Sequence, residues 1–201
     1  MSLEVAANEF YQRLRTDEMD QVRGLVDFTG QFMHGLEQGP FLIAGVGGIL
    51  WKDDPNKARD INIEVSGNVS EKYGHLSNAV GFSRLVRDYF YELLVVLSQG
   101  RDLKELRVPK GSGRFKGWNQ KYRLRGKGDI VELTTNLESF RMSHGTKGVQ
   151  VKYRGSRMID VQFAYRKLPD MWKEHQEHLD NMVSWRSFPY AVLLEDKSEL
   201  I

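Results

Sequence analysis

The 201-residue sequence contains no cysteine and no long apolar run. The absence of cysteine excludes a disulfide framework, a thiolate zinc site and a cysteine nucleophile. No segment approaches the roughly 18 consecutive apolar residues that a membrane-spanning helix needs, and the acidic N-terminus is unlike a secretory signal. We therefore expect a cytoplasmic protein without a membrane association.

The composition is sufficient for one sizeable globular unit. Hydrophobic residues make up 40% of the chain and aromatic residues 11%, so a buried core can form. We expect a single domain over residues 1–201. The net charge is only +2, but residues 101–130 carry ten Lys or Arg against three acidic residues, an excess of seven positive charges.

Hydrophobic periodicity predicts both helices and strands. Helical spacing of apolar residues indicates an N-terminal helix from about residue 16 to 36 and a longer core helix ending at Gly100. A polar helix is predicted after Pro169. Short apolar or alternating runs predict strands at 41–44, 60–65, 149–153, 157–166 and 190–194, with a hairpin near 121–133. This order favours an α+β fold with a mixed or antiparallel sheet and helices mainly on one face.

The glycine-rich turn after the first predicted strand does not match two common phosphate-binding motifs. A dinucleotide fingerprint, G-x-G-x-x-G, could begin at Gly45, but its third glycine position is occupied by Leu50. A Walker loop requires Gly-Lys-Ser or Gly-Lys-Thr, and neither this turn nor the later "KGSGRFKG" contains that sequence. An ordinary tight turn between two strands is one remaining interpretation.

A third motif fits better. Val46-Gly47-Gly48 is followed by eleven residues and then by Asp60-Ile61-Asn62-Ile63. This pattern resembles the signature of the nucleotidyltransferase superfamily, which has the DNA polymerase beta-like fold. The resemblance implies that Gly47 and Gly48 hold nucleotide phosphates at the start of a short helix and that Asp60 binds a divalent metal. It also implies a third carboxylate on a later strand, for which Asp160 in "RMIDVQFAY" is the candidate.

The alternation along this strand has a physical use. Side chains at 60, 62 and 64 share one face, with next-but-one positions about 6.6 Å apart, and carboxylate oxygens are ligands that Mg²⁺ prefers. The family has Asp or Glu where this chain has Asn62, so one negative charge is missing. Glu64 is the candidate to replace it, and Lys57 and Arg59 are candidates for phosphate contact.

Two other segments have alternative interpretations. The basic residues of 101–130 are interleaved with Phe115, Trp118 and Tyr122, which suits nucleic-acid binding and equally suits a solvated loop. His175 and His178 would share a helical face, where a surface helix is a simpler interpretation than a metal site.

The expected function is binding of a nucleoside triphosphate such as ATP with Mg²⁺, and transfer of its nucleotidyl group to an acceptor hydroxyl with release of pyrophosphate. Asp60, Asn62 and Asp160 are the predicted catalytic residues, and Asp60, Glu64 and Asp160 the predicted metal ligands. One alternative is a catalytically silent relative that binds nucleic acid or a protein. A second is an unrelated α+β domain whose glycine turn is incidental.

Overall fold

The computed structural model describes residues 3–36, 41–67, 79–106, 120–136, 147–163 and 190–196. Its helices are α1 (Leu3–Gln12), α2 (Thr16–Gly35), α3 (Gly48–Trp51) and α4 (Ala79–Ser98), with a 3-10 turn at Pro55–Lys57. Its strands are β1 (Phe41–Val46), β2 (Asp60–Gly67), β3 (Asp102–Leu106), β4 (Lys121–Arg125), β5 (Ile130–Asn136), β6 (Lys147–Tyr153), β7 (Met158–Phe163) and β8 (Tyr190–Asp196). The predicted α+β class is confirmed.

The eight strands form one mixed sheet in the order β3-β4-β5-β6-β7-β2-β1-β8. Strands β2 and β7 pair in parallel, and the other neighbouring strands pair antiparallel. The parallel pair joins strands that lie about 100 residues apart in sequence. It therefore brings the segment after the glycine turn beside the segment that contains Asp160.

One face of the sheet is apolar because alternate residues of its central strands are hydrophobic. The buried side chains on this face are Ile61, Ile63, Leu124, Val131, Leu133, Val149, Val151, Ile159, Val161 and Phe163. Tyr89 of α4 packs here, with ring centroids 5.1 Å from Phe32 of α2 and 5.0 Å from Phe163. Helices α2 and α4 thus meet over the apolar face, and the intervening side chains of β2 and β7 point to the opposite, polar face.

The predicted helices, strands and hairpin that lie within the described residues are present, with shifted ends. Helix α1 and strand β3 were not predicted. Strand β3 has the sequence DLKEL, whose exposed, mostly charged residues lack the alternation that marks a half-buried strand. The helix after Pro169, with His175 and His178, falls outside the described residues. None of the helices within the described ranges combines the length and apolar character that a bilayer crossing requires.

Candidate functional site

The polar face of β2, β7 and β6 carries a compact group of acids and amides. Asn62 lies beside Asp160 across the parallel β2–β7 pair, and Gln150 of β6 lies opposite Asp160 on its other side. Asp60 and Gln162 occupy the flanking positions on the same face, and all five side chains are half-buried. We call these residues the carboxylate–amide cluster.

Hydrogen bonds link the cluster into a chain. The Nδ2 of Asn62 donates to Oδ1 of Asp60 at 3.3 Å, and the Oδ1 of Asn62 accepts from Nε2 of Gln162 at 3.2 Å. The side chain of Gln150 hydrogen-bonds to Asp160. Asn62 thus uses both ends of its amide, and it donates to Asp60 where a carboxylate at position 62 would repel it.

The two carboxylates of the cluster have no cationic partner within the described chain. No described Lys or Arg forms an ion pair with Asp60 or Asp160. Burial raises the pKa of Asp160, the Gln150 hydrogen bond opposes that rise, and the charge of Asp60 adds to it, so that the pKa lies above its ordinary value. The cluster therefore holds negative charge that the described residues leave unmatched.

The glycine turn lies directly against this cluster. Strand β1 ends at Val46, which is in register with Asn62. Gly47 follows as the N-cap residue of α3, with φ of 81°. A Cβ at Gly47 would stand 3.1 Å from Nδ2 of Asn62. Both the backbone conformation and the close approach favour glycine here, and the turn places the start of α3 next to Asn62.

Helix α3 is a single turn that other parts of the chain hold in place. Arg13 donates from one guanidinium nitrogen to the carbonyl oxygens of Ile49 and Lys52, at 3.1 and 3.0 Å. The Nζ of Lys52 donates to the carbonyl of Lys57 at 2.7 Å. The two Arg13 bonds satisfy carbonyl groups at the end of α3 that the short helix cannot pair internally, and the Lys52 bond ties this end to the 3-10 turn. Sequence reasoning missed Arg13 because its role depends on the position of α1.

The predicted phosphate contacts and the remaining metal ligand lie around the cluster. Lys57 and Arg59 are exposed on the loop that leads into β2. Glu64 shares the polar face but is paired with Gln162, whereas Asp160 is paired with Asn62. Glu64 therefore lies farther along the strands than the two carboxylates of the cluster. Within the described residues no group of three or more His, Cys, Asp or Glu side chains is arranged to hold a metal ion. The assignment of Asp60, Glu64 and Asp160 as metal ligands stays a prediction.

The donor set that is present fits one magnesium ion better than two. Mg²⁺ is commonly held by one or two carboxylates together with substrate phosphates and water. Asp60 and Asp160 supply two such carboxylates, close enough for the charge of Asp60 to raise the pKa of Asp160. Asn62 offers no second carboxylate, and its oxygen already accepts a hydrogen bond from Gln162.

A second polar cluster, which the sequence did not reveal, ties the loop before β2 to α2. Glu18 is fully buried, and its Oε2 lies 2.6 Å from one terminal guanidinium nitrogen of Arg157. The other terminal nitrogen of Arg157 donates to the carbonyl of Pro55 at 2.6 Å. The backbone N–H groups of Arg15 and Arg157 also donate to Glu18, at 3.2 and 3.0 Å. We call this the Glu18–Arg157 cluster.

The charge of Glu18 is strongly stabilised. Burial alone would raise its pKa, but the hydrogen bonds from the Arg157 side chain and from the two backbone N–H groups outweigh burial and lower the pKa to about 2. Glu18 and Arg157 lie 139 residues apart. No local sequence pattern links residues at that separation. The sequence indicates only that α2 begins with acidic residues.

Three cations in the described part of the basic segment pair with carboxylates. Lys121 and Arg123 both contact Glu132, at 2.5 and 2.6 Å, and Arg101 contacts Asp129 at 2.8 Å. Residues 107–119, with Phe115 and Trp118, lie outside the described residues. Nucleic-acid binding by residues 101–130 stays a prediction.

No protein-family model, curated protein or solved structure matches this chain.

Proposed function

We propose that the protein is nucleotidyltransferase-like and binds a nucleoside triphosphate with Mg²⁺ between the glycine turn and the carboxylate–amide cluster. One observation carries the proposal: Gly47 lies against Asn62, which is in register with Asp160 on the parallel strand. A backbone turn suited to phosphate and a pair of carboxylates suited to a cation are thereby adjacent, although they come from distant parts of the sequence.

Each group has a role in this site. The first N–H groups of α3 lack partners within the helix and would donate to phosphate oxygens at Gly47 and Gly48. Asp60 and Asp160 would hold the magnesium ion, and Lys57 and Arg59 would approach the triphosphate from the loop before β2. Bound magnesium supplies charge neutralisation at the phosphates. Arg13 acts indirectly, since its hydrogen bonds to Ile49 and Lys52 fix the position of the turn.

The reaction that the resemblance implies is transfer of a nucleotidyl group to an acceptor hydroxyl, with displacement of pyrophosphate. A second candidate is nucleotide binding without transfer. The hydrogen bonds of Asn62 favour this second candidate, because a residue that bridges Asp60 and Gln162 is a poor ligand for a second metal ion.

Pyrophosphate release distinguishes transfer from binding alone. It is measured with each of the four nucleoside triphosphates, with Mg²⁺ and with Mn²⁺, for the wild type, Asn62→Asp and Glu64→Gln. If the site binds without transfer, the wild type is inactive and Asn62→Asp gains activity. If Glu64 replaces the missing carboxylate, the wild type is active, Glu64→Gln is not, and Asn62→Asp changes little.

Binding is measured in parallel by the shift in melting temperature. Gly48→Asp places a negative side chain where phosphate would approach and should abolish the shift. Gly24→Asp is the matched control, since a Cβ at Gly24 on α2 has nothing within 4 Å. If the wild type neither binds a nucleotide nor releases pyrophosphate, the glycine turn is incidental and the proposal is wrong.

A further inference from the structure

Strand β3 is the outermost of the described strands at one end of the sheet, and its side chains point largely into solvent. Residues 102–105 are exposed, and Leu103 keeps 52% of its surface accessible. An edge strand presents unpaired backbone N–H and C=O groups along its outer side. No described strand pairs with the outer side of β3, so within the described ranges this edge offers backbone hydrogen bonds and an apolar side chain to a second strand.

Exposed side chains of α4 lie on the same side of the sheet as Leu103. Leu103 is paired with Leu124, which is buried in the core, so Leu103 faces the helical side of the sheet. On that side Tyr91 and Val95, one helical turn apart, are 40% and 63% exposed. Burial, and to a smaller extent Glu105 and Tyr91, raise the pKa of Tyr122 of β4, so Tyr91 lies near that strand. We call Tyr91, Val95 and Leu103 the edge patch.

We infer that β3 pairs with β3 of a second copy of this chain, antiparallel and about a twofold axis at Leu103. In this register Leu103 lies opposite the second copy's Leu103, and Asp102 lies opposite the second copy's Lys104. The twofold axis repeats the contact, so that two Asp–Lys pairs flank one Leu–Leu pair. Neither Asp102 nor Lys104 has an ion-pair partner among the described residues, so both charges are available.

The charge pattern of β3 selects this register over its neighbours. A twofold axis at Lys104 would set Lys104 against Lys104, and an axis at Glu105 would set Glu105 against Glu105. Like charges directly opposite each other destabilise a strand pair, whereas opposite charges stabilise it. The central Lys104 disfavours pairing with unrelated strands and is matched by the Asp102 of an identical strand.

The interface is small, since β3 has five residues and the edge patch adds only the side chains of Tyr91 and Val95 from α4. Interfaces below about 1,200 Å² of total buried area are typical of weak, reversible association. The dimer is therefore expected to form in a concentration-dependent manner, with or without nucleotide. The twofold arrangement makes the contact closed and limits it to two copies.

A charge exchange tests the register by sedimentation velocity on the full chain over a range of concentrations. Asp102→Lys leaves only Lys at both positions and Lys104→Asp leaves only Asp, so each variant alone should remain monomeric. An equal mixture of the two variants restores both opposite-charge pairs and should dimerise, as should the double variant Asp102→Lys, Lys104→Asp. A wild type that stays monomeric at every concentration, or a mixture no more associated than its components, would overturn the inference.

Cross-linking provides an independent test because the chain has no cysteine of its own. Leu103→Cys places two thiols at the axis, where Cα atoms of paired residues stand about 4.5–5.5 Å apart, within disulfide range. Mild oxidation should give a covalent dimer that a reducing agent dissociates. Glu105→Cys is the matched control, since the two copies of that residue would lie about 14 Å apart along the strands. Equal cross-linking of both variants would show random collision and would contradict the register.

Discussion

Glu18 and Asp160 are two carboxylates whose burial favours the protonated form, but the pKa of Glu18 is lowered and the pKa of Asp160 is raised. Glu18 accepts from the guanidinium of Arg157 and from two backbone N–H groups, and its pKa falls to about 2. Asp160 has the amide of Gln150 and the like charge of Asp60 near it, and its pKa rises. The charge of Glu18 is thus matched within the fold, whereas Asp160 carries a charge that the described residues leave unmatched.

The two clusters are also physically connected. Arg157 directly precedes β7, which carries Asp160, and it donates to the carbonyl of Pro55 on the loop before Asp60. The Glu18–Arg157 cluster therefore helps to hold β7 and the loop before β2 in position beside each other. A matched ion pair supports the geometry, while the unmatched carboxylates provide the negative potential at the proposed site.

The largest effect on stability is expected for Arg157→Ala. This change removes the close cation of the buried Glu18 carboxylate and leaves only the more exposed Arg15, whose Nε lies 3.8 Å away. Breaking a buried ion pair typically costs about 3–5 kcal/mol. Urea denaturation measures the loss. Arg87→Ala is the control, because Arg87 pairs with Asp88 in solvent and such a pair contributes at most about 1 kcal/mol. Equal losses in the two variants would mean that the Glu18–Arg157 cluster is not a stabilising element.

Acid should weaken the fold through the same carboxylate. Although burial opposes them, the hydrogen bonds and the charge of Arg157 lower the pKa of Glu18 from its ordinary 4.5 to about 2 in the folded chain. The lowered pKa contributes stability that is present above pH 4.5 and is lost as the pH falls toward 2, amounting to about 3 kcal/mol by linkage. The free energy of unfolding is measured between pH 7 and pH 3.

The matched control for acid sensitivity is the double variant Glu18→Gln, Arg157→Met, which keeps a hydrogen-bond acceptor at position 18 and carries neither charge. Its stability should depend less on pH over this window. If the wild type and the double variant show the same slope, the acid sensitivity arises from other groups.

Substitutions at the two glycines of the turn should lower the stability by different amounts, both smaller than the loss for Arg157→Ala. Gly47→Ala forces a side chain into a backbone region used almost only by glycine and brings a Cβ to 3.1 Å from Asn62, at a cost of about 1–3 kcal/mol. Gly48→Ala meets its nearest neighbour at 3.5 Å, an ordinary contact, and should be tolerated by the fold. Thermal unfolding compares the two variants, and a greater loss for Gly48→Ala would contradict the described turn.

The smallest effect has the opposite sign. The raised pKa of Asp160 means that its ionised form is disfavoured by folding, so this residue lowers stability as the pH rises above its unfolded pKa. Asp160→Asn should therefore raise the stability of the metal-free protein modestly at neutral pH, and the gain should shrink as the medium is acidified. A loss of stability at pH 7 would show that Asp160 is a structural carboxylate like Glu18.

Local patterns in the sequence were sufficient for much of the fold. The apolar spacing of α2 and α4 and the alternation in β2, β6 and β7 predicted those elements, because each buries one regular face against the core. Strand β3 was missed since an exposed, charged edge strand carries no such periodicity. The parallel pairing of β2 with β7 is a long-range feature that no local pattern specifies.

The candidate site was predicted in part for the same reason. The glycine turn and the Asp60–Asn62 alternation are local motifs, and the structure places Gly47 against Asn62 and Asn62 beside Asp160. The hydrogen bonds through Gln150 and Gln162, the support from Arg13 and the buried pair of Glu18 with Arg157 all join distant segments. Those contacts become visible only when the sheet is assembled.

The most direct test is the magnesium-dependent rise in melting temperature with a nucleoside triphosphate, for the wild type and for Asp160→Asn. A ligand at 100 times its dissociation constant stabilises the folded state by about 2.7 kcal/mol, which corresponds to roughly 5–10 °C for a chain of this size. The account predicts this rise in the wild type, which requires Mg²⁺, and none in Asp160→Asn, although that variant is the more stable protein without ligand. Asp129→Asn serves as the control for loss of an acidic residue outside the cluster. An equal rise in all three proteins, or no rise in the wild type, would contradict the account.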